Sequence, residues 1–257
     1  ERYQKRFFNS VELPRETIFK SKTVDMCGFN IAGPKSREML QRLSNQDLSN
    51  NNWPFMHSGQ LSIAGVECLA LRISFSGDLG WEIYCDAVYQ EIIYKTLIKA
   101  SIIENGGPVG SRALMSLRIE KGYGSWSREY SPEVWPHESG LEKLCKLDKD
   151  FLNKRALVEN LKNEPRERLV LIKLNEQDCK KSNADATGGE PIFYSGKGIG
   201  RITSGAYGYN VGMSLALGYV KGVSAGDTVD VMVLGEPHKG KILKAPPFDP
   251  EGKILRS

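Results

Sequence analysis

The sequence predicts an α+β unit followed by a small all-β barrel. Three observations carry this reading. Up to about residue 164, apolar residues recur at both alternating and helical spacings, so strands and helices share one stretch of chain. From Arg168 onward only short β-type runs remain, separated by Gly and Asp turns at roughly 8–14-residue intervals. Between the two regimes Glu164-Pro165 ends a helical run, which sets the boundary near Pro165.

TVDMCGFNIAG (Thr23 to Gly33) reads as a short strand ending in a glycine turn. PKSREMLQRLSN reads as a helix with Pro34 in its first turn and Met39, Leu40 and Leu43 on one face. Leu61 and Ile63, then Val66, Cys68, Ala70 and Arg72, alternate around Ala64-Gly65, which predicts a hairpin whose second strand runs on to Phe75. GWEIYCDA is a further strand. Tyr89, Ile92, Ile93, Leu97 and Ala100 then fall at helical spacing until Gly106-Gly107 stops the helix. The order β-α-β-β-(β)-α predicts an antiparallel sheet with helices on one face, of ferredoxin-like type. SRALMSLRIEKGYG is a helix ending at Gly122, and DFLNKRALVENLKN is an amphipathic one; the loop between them is rich in aromatics, prolines and acids. LVLIKL, PIFYSG, GIGRITSGAYG, LALGYV, DTVDVMVLG and KGKILK supply the barrel.

Composition narrows the function. With 257 residues, 40% hydrophobic and 26% charged, the chain reads as globular and soluble. The net charge of +4 is spread along it with no basic block, so no nucleic-acid partner is expected. No apolar run approaches the ~20 residues that span a bilayer, so no membrane partner is expected either. Five cysteines form no C-x-x-C pair and three histidines lie far apart, which predicts no metal site and buried thiols in a reducing compartment. The start, ERYQKRFFNS, has neither an initiator Met nor the apolar core of a signal peptide; a piece of a longer protein is expected.

Catalytic machinery is not legible. G-x-G-x-x-G after a strand, the P-loop pattern and G-x-S-x-G are all absent. GKGIGRI (Gly196 to Ile202) lies between strands and so predicts a hairpin turn rather than a phosphate loop. His137 reads as a hydrogen-bonded loop histidine. One feature asks for more than architecture. In FSGDLGWEIY (Phe75 to Tyr84), a glycine turn leads into a strand on which Glu82 stands between Trp81 and Ile83.

FSGDLGWE is similar to the (Y/F)-(T/S)-G-(E/D)-x-G-(W/Y/F)-E signature of the glycine-cleavage aminomethyltransferase (T-protein) family. LRIEKGYGSW (Leu117 to Trp126) resembles that family's L-R-(L/I)-E-x-G helix end. RIEKGY, the P-x-E-x-G-L-(x)n-K-L pattern from Pro136 to Leu147, and DFLNKRAL resemble the folate domains of dimethylglycine and sarcosine dehydrogenases. RITSGAYGYNVGMSLALGYV and APPFDPEGKILRS are similar to the C-terminal barrel strands and extreme C-terminus of the same branch. The resemblance runs from about Thr23 to the end.

That resemblance implies a tetrahydrofolate-binding module, with Glu82 reading the pterin edge. A pterin presents an N–H and an amino group side by side, and one ionised carboxylate accepts both bonds. It also implies folate contacts from Tyr84, Phe75, Trp126 and Lys143. Phe75 stands where relatives often have tyrosine, which keeps a stacking face and lacks the phenol. Lys143, in place of a tyrosine of one relative, suits the anionic glutamyl tail. The T-protein's folate-contacting arginine aligns with Leu114, with Arg112 two residues away, and this favours the dehydrogenase branch. The implied domains are residues 1–22 as the remnant of a first folate subdomain, 23–164 as the ferredoxin-like folate-binding subdomain, and 165–257 as the barrel. FAD is expected only in an upstream domain, and an N-methylated amine as the parent's substrate; an N-terminal half or a partner subunit would complete the site. Mitochondrial matrix or bacterial cytoplasm follows as the location. A T-protein paralogue, or a non-catalytic regulatory protein of the same fold, are the alternatives.

Overall fold

The computed structural model describes residues 2–257, which form two compact units. The first unit holds the chain up to Ser74, residues 78–108 and residues 252–257. It begins with helix α1 (Arg2–Ser10), which buries none of its residues. Strands β1 (Met26–Ala32), β2 (Ser58–Ile63), β3 (Val66–Leu71) and β4 (Gly80–Asp86) follow, with helix α2 (Ser36–Gln41) after β1 and helix α3 (Gln90–Ile103) after β4. All neighbours pair antiparallel in the order β1-β4-β3-β2.

Period-2 alternation makes this sheet one-sided. Leu61, Ile63, Val66, Cys68, Ala70, Trp81, Ile83 and Cys85 are buried against Met39 and Leu40 of α2 and Ile93, Leu97 and Ala100 of α3. The expected hairpin turn is present, with Ala64 at φ 52° and Gly65 at φ 80°, the double positive φ of a type I′ turn. Strand β3 stops at Leu71, short of the expected Phe75, and the next residue, Arg72, is wholly buried. Its guanidinium donates to the Gly80 carbonyl and to those of Leu255 and Ser257, and it lies 4.7 Å from the Trp81 ring centroid. Burial, with a smaller push from neighbouring Arg37, lowers its pKa to about 10. The short helix α7 (Lys253–Arg256) closes this unit.

The second unit holds Phe75–Gly77 and Val109–Glu251. Helix α4 (Ser111–Glu120) ends at Gly122, whose φ of +69° suits glycine. Helix α5 (Lys154–Asn160) is shorter than its amphipathic pattern predicts, since Asn153 before it is left-handed. Strands β5 (Arg168–Leu174), β6 (Pro191–Tyr194), β7 (Lys197–Gly208), β8 (Met213–Val220), β9 (Thr228–Val233) and β10 (Glu236–Ile242) close a barrel in the order β10-β5-β8-β7-β6-β9. GKGIGRI enters β7 from a turn at Ser195-Gly196, a hairpin as expected. Helix α6 (Glu176–Ser182) interrupts what reads as an all-β stretch. Its start is fixed by Asn175, whose side-chain oxygen accepts from the backbone N–H groups of Gln177 and Asp178.

Candidate functional site

Glu82 stands on the sheet face of the first unit that the helices leave uncovered. Trp81 and Ile83 on either side of it are fully buried on the opposite face, which fixes the direction of the carboxylate. Tyr84, two residues on, shares the open face, and its phenol donates to Glu82 Oε2 at 2.5 Å. That bond, together with burial, pushes the Tyr84 pKa up to about 12 and keeps the phenol protonated and donating. Tyr84 is the one hydrogen-bond partner of the Glu82 side chain among the described residues. Oε1 and the second lone pair of Oε2 are therefore available to a ligand.

The neighbouring strands complete the patch. Pairing places Asn30 and Leu71 beside Glu82, and Gly28 and Leu69 beside Tyr84. The leucines are half-buried and exposed respectively, an apolar shelf alongside the two polar groups. Gly28 is required by close approach: a Cβ there would lie 2.9 Å from Tyr84 Cε1, so the ring lies across bare backbone. Gly80 is likewise architectural, because a Cβ would lie 2.7 Å from the Ile31 carbonyl oxygen. The arrangement suits a flat heteroaromatic ring resting on leucines while its donor edge meets an oriented carboxylate. Two depressions of this unit, about 470 and 590 Å³, lie elsewhere, against Phe29 and Tyr94 and against Arg42 and Gln60.

Glu82 and Tyr84 are thus brought together; the other three residues expected at the site belong to the second unit. There the half-buried Phe75 ring lies parallel to Tyr123 at 6.5 Å between centroids. Trp126 is 82% exposed and meets Tyr130 edge-on, while Lys143 is exposed in a single turn of 3-10 helix, Glu142–Leu144. No group of three or more His, Cys, Asp or Glu is placed to hold a metal among the described residues.

The LRIEKG segment of α4 is a structural clamp. Arg118 and Glu129 form a fully buried ion pair at 3.0 Å. Glu129 also accepts from the hydroxyls of Thr203 and Ser204 and from the Ser125 N–H. Burial alone would raise the Glu129 pKa, but these four donors outweigh it and hold it below the usual carboxylate range. Glu120 accepts from the backbone and side-chain nitrogens of Asn210 at 2.9 and 2.8 Å, and Lys121 pairs with Asp249 at 2.8 Å. Gly77 leaves room for the Lys121 stem, since a Cβ would lie 2.9 Å from its Cγ. Glu138 is clamped in the same manner by Arg166 Nε and Nη2 and by the Trp135 N–H.

Two family models match the chain. The GCVT N-terminal domain model matches residues 5–149, and the glycine cleavage T-protein C-terminal barrel domain model matches 168–249. The chain belongs to the glycine cleavage T-protein family. Within this family it is 35% identical over 222 residues to mouse mitochondrial dimethylglycine dehydrogenase, covering 85% of this chain and 25% of that protein. It is 31% identical to human mitochondrial sarcosine dehydrogenase, covering 90% and 26%. An aminomethyltransferase of Desulfitobacterium hafniense is 30% identical, covering 89% and 61%. The crystal structure of aminomethyltransferase T from Bartonella henselae shares the fold, with a TM-score of 0.76 at 21% identity over 88% of this chain and 60% of that one. The chain spans about a quarter of the length of the mammalian dehydrogenases that it matches.

Proposed function

We propose that this chain binds tetrahydrofolate, with the Glu82 carboxylate accepting from the pterin N–H and amino group and Tyr84 holding that carboxylate in place. The observation that carries the reading is the oriented, otherwise unclaimed carboxylate beside an apolar shelf. A carboxylate is the complementary acceptor for a paired donor edge, and a strand buried on its other face holds the angle. Leu69 and Leu71 supply the surface on which the ring rests. Phe75, Trp126 and Lys143 are further candidate folate contacts, Lys143 for the glutamyl tail.

Within a longer parent, the chain acts as the aminomethyltransferase-like portion of a dimethylglycine- or sarcosine-dehydrogenase-like enzyme. An upstream FAD domain oxidises an N-methyl glycine, and the folate module captures the one-carbon unit as 5,10-methylene-tetrahydrofolate. Higher identity to the dehydrogenases than to the aminomethyltransferase supports this branch. Among the described residues no helix is long and apolar enough to cross a membrane, compatible with the matrix or cytoplasm as the location. Calorimetry of the full-length protein with 5-formyl-tetrahydrofolate tests the reading. Glu82→Ala is expected to abolish binding while circular dichroism and melting stay unchanged. Equal affinity in the variant would remove Glu82 from the pterin edge.

A further inference from the structure

On the buried side of the same sheet, Cys27 of β1 and Cys85 of β4 are direct cross-strand partners, and their sulfurs stand 3.5 Å apart. Directly opposed antiparallel residues have Cα atoms about 4.5 or 5.5 Å apart, depending on the pair type. Both separations fall inside the roughly 4.4–6.8 Å that a disulfide bridges. Closing the bond therefore needs side-chain rotation and no change of register. We propose that Cys27 and Cys85 form a reversible cross-strand disulfide, a redox modification site behind the face that carries Glu82 and Tyr84.

Accessibility sets the order of events. Cys27 is half-buried and reachable, whereas Cys85 is 2% exposed. The Cys27 thiolate attacks one sulfur of a small disulfide such as oxidised glutathione, forming a mixed disulfide and releasing one thiolate. The Cys85 thiol then attacks Cys27 Sγ and expels the second thiolate, which takes the Cys85 proton. Two protein thiols and one small disulfide become one protein disulfide and two small thiols. Burial raises the Cys85 pKa to about 12, so the second step is the slow one and the Cys27 mixed disulfide precedes the protein disulfide. Cys68 of β3, whose Sγ donates to the Val66 carbonyl, is 1% exposed and offers an oxidant no entry.

The bond sits one residue from the ligand face. Gly28, beside Cys27, is paired with Tyr84, beside Cys85, and the Tyr84 ring lies on Gly28. Drawing the two sulfurs together from van der Waals contact tightens the backbone pair under that ring. The regulatory consequence, a changed grip on Glu82, rests on the folate reading.

Reduced full-length protein is incubated with oxidised glutathione, alkylated and digested, and its peptides are mapped without reduction. A linked peptide joining Cys27 to Cys85, removed by dithiothreitol and absent in Cys27→Ser, is expected. A Cys68–Cys85 link, or Cys27 still carrying glutathione alone after prolonged incubation, overturns the modification site. In parallel, oxidised wild type is expected to lose at least about threefold in 5-formyl-tetrahydrofolate affinity, and Cys27→Ser to show no oxidant effect. A mapped disulfide with unchanged affinity overturns the coupling and leaves the folate site standing. Reduced protein that binds no folate overturns the folate reading and the coupling together, while the mapped disulfide still decides the modification site.

Discussion

Removing Glu129 gives the sharpest test of what holds the second unit together. Glu129→Ala deletes the ion-pair partner of Arg118, a guanidinium with no exposed surface that keeps only the Tyr123 carbonyl on Nη1 and whose Nε and Nη2 have no partner among the described residues. Breaking a buried pair from one side costs about 3–5 kcal/mol, because the surviving charge stays desolvated. The same change strands the Ser125 N–H and the Ser204 hydroxyl, at roughly 1–3 kcal/mol each if water cannot enter. Thr203 is spared, since its hydroxyl has the Leu217 carbonyl at 3.1 Å as an alternative acceptor. The sum, about 5 kcal/mol or more, is comparable with the whole stability of an ordinary domain, roughly 5–15 kcal/mol. Urea unfolding followed by far-ultraviolet circular dichroism is expected to show the second unit largely unfolded in Glu129→Ala. Arg118→Met with Glu129→Leu removes both charges and is expected to recover most of the loss. A single variant that costs under about 1 kcal/mol, or a double variant no better than the single, would refute the reasoning.

Three further outcomes follow from the same geometry. Tyr84→Phe removes the donor that aims Glu82 and is expected to weaken tetrahydrofolate binding about tenfold by calorimetry, against total loss in Glu82→Ala. Gly28→Ala drives a methyl into the Tyr84 ring, so the fold is expected to survive while affinity falls severalfold, and a tyrosine fluorescence or ring chemical-shift change reports the displaced phenol. Glu138 is held down to about 2, mainly by the Arg166 guanidinium, against burial and with help from the Trp135 and Arg166 N–H groups. A folded-state pKa below the unfolded value of about 4.3 stabilises above that value and loses the stabilisation as pH falls through the folded one. Wild type is therefore expected to lose on the order of 2 kcal/mol between about pH 5 and 2 that Glu138→Gln does not, the figure being discounted because Arg166 is largely exposed.

Strands and hairpins were the most legible part of the fold. Alternation around Ala64-Gly65 specified β2, β3 and the residues that face the core, including Arg72 at a position an aliphatic would ordinarily take. Alternation did not reveal how the Arg72 guanidinium would be satisfied, because its carbonyl partners Leu255 and Ser257 lie far away in sequence. Helix α6 was hidden because EQDCKKS has no apolar stripe and buries nothing; Asn175 as a cap was the available signal. At the candidate site, Glu82 and Tyr84 are adjacent on one strand and so could be paired from sequence. Gly28, Leu69 and Leu71 could not, since only the β1-β4-β3 register brings them beside the carboxylate.

The residues on which the resemblance to this family rests fall into two physical kinds. Arg118, Glu120 and Lys121 of one motif, Glu138 of a second, and Thr203 and Ser204 of a third are consumed by one another or by nearby chain. Loss of Arg118 alone leaves the buried Glu129 carboxylate without its cation, and a requirement to fold is enough to account for interlocked residues of this kind. Glu82 answers to a different constraint. It has one internal partner, it is only half-buried, and replacing it would strand nothing but a phenol at the surface of the sheet. Folding gives no reason for a carboxylate at that position, aimed by a tyrosine whose ring needs a glycine beneath it. A ligand with paired donors would give one, and that contrast between saturated and unsaturated motif residues is the physical ground for the proposal that Glu82 meets the ligand.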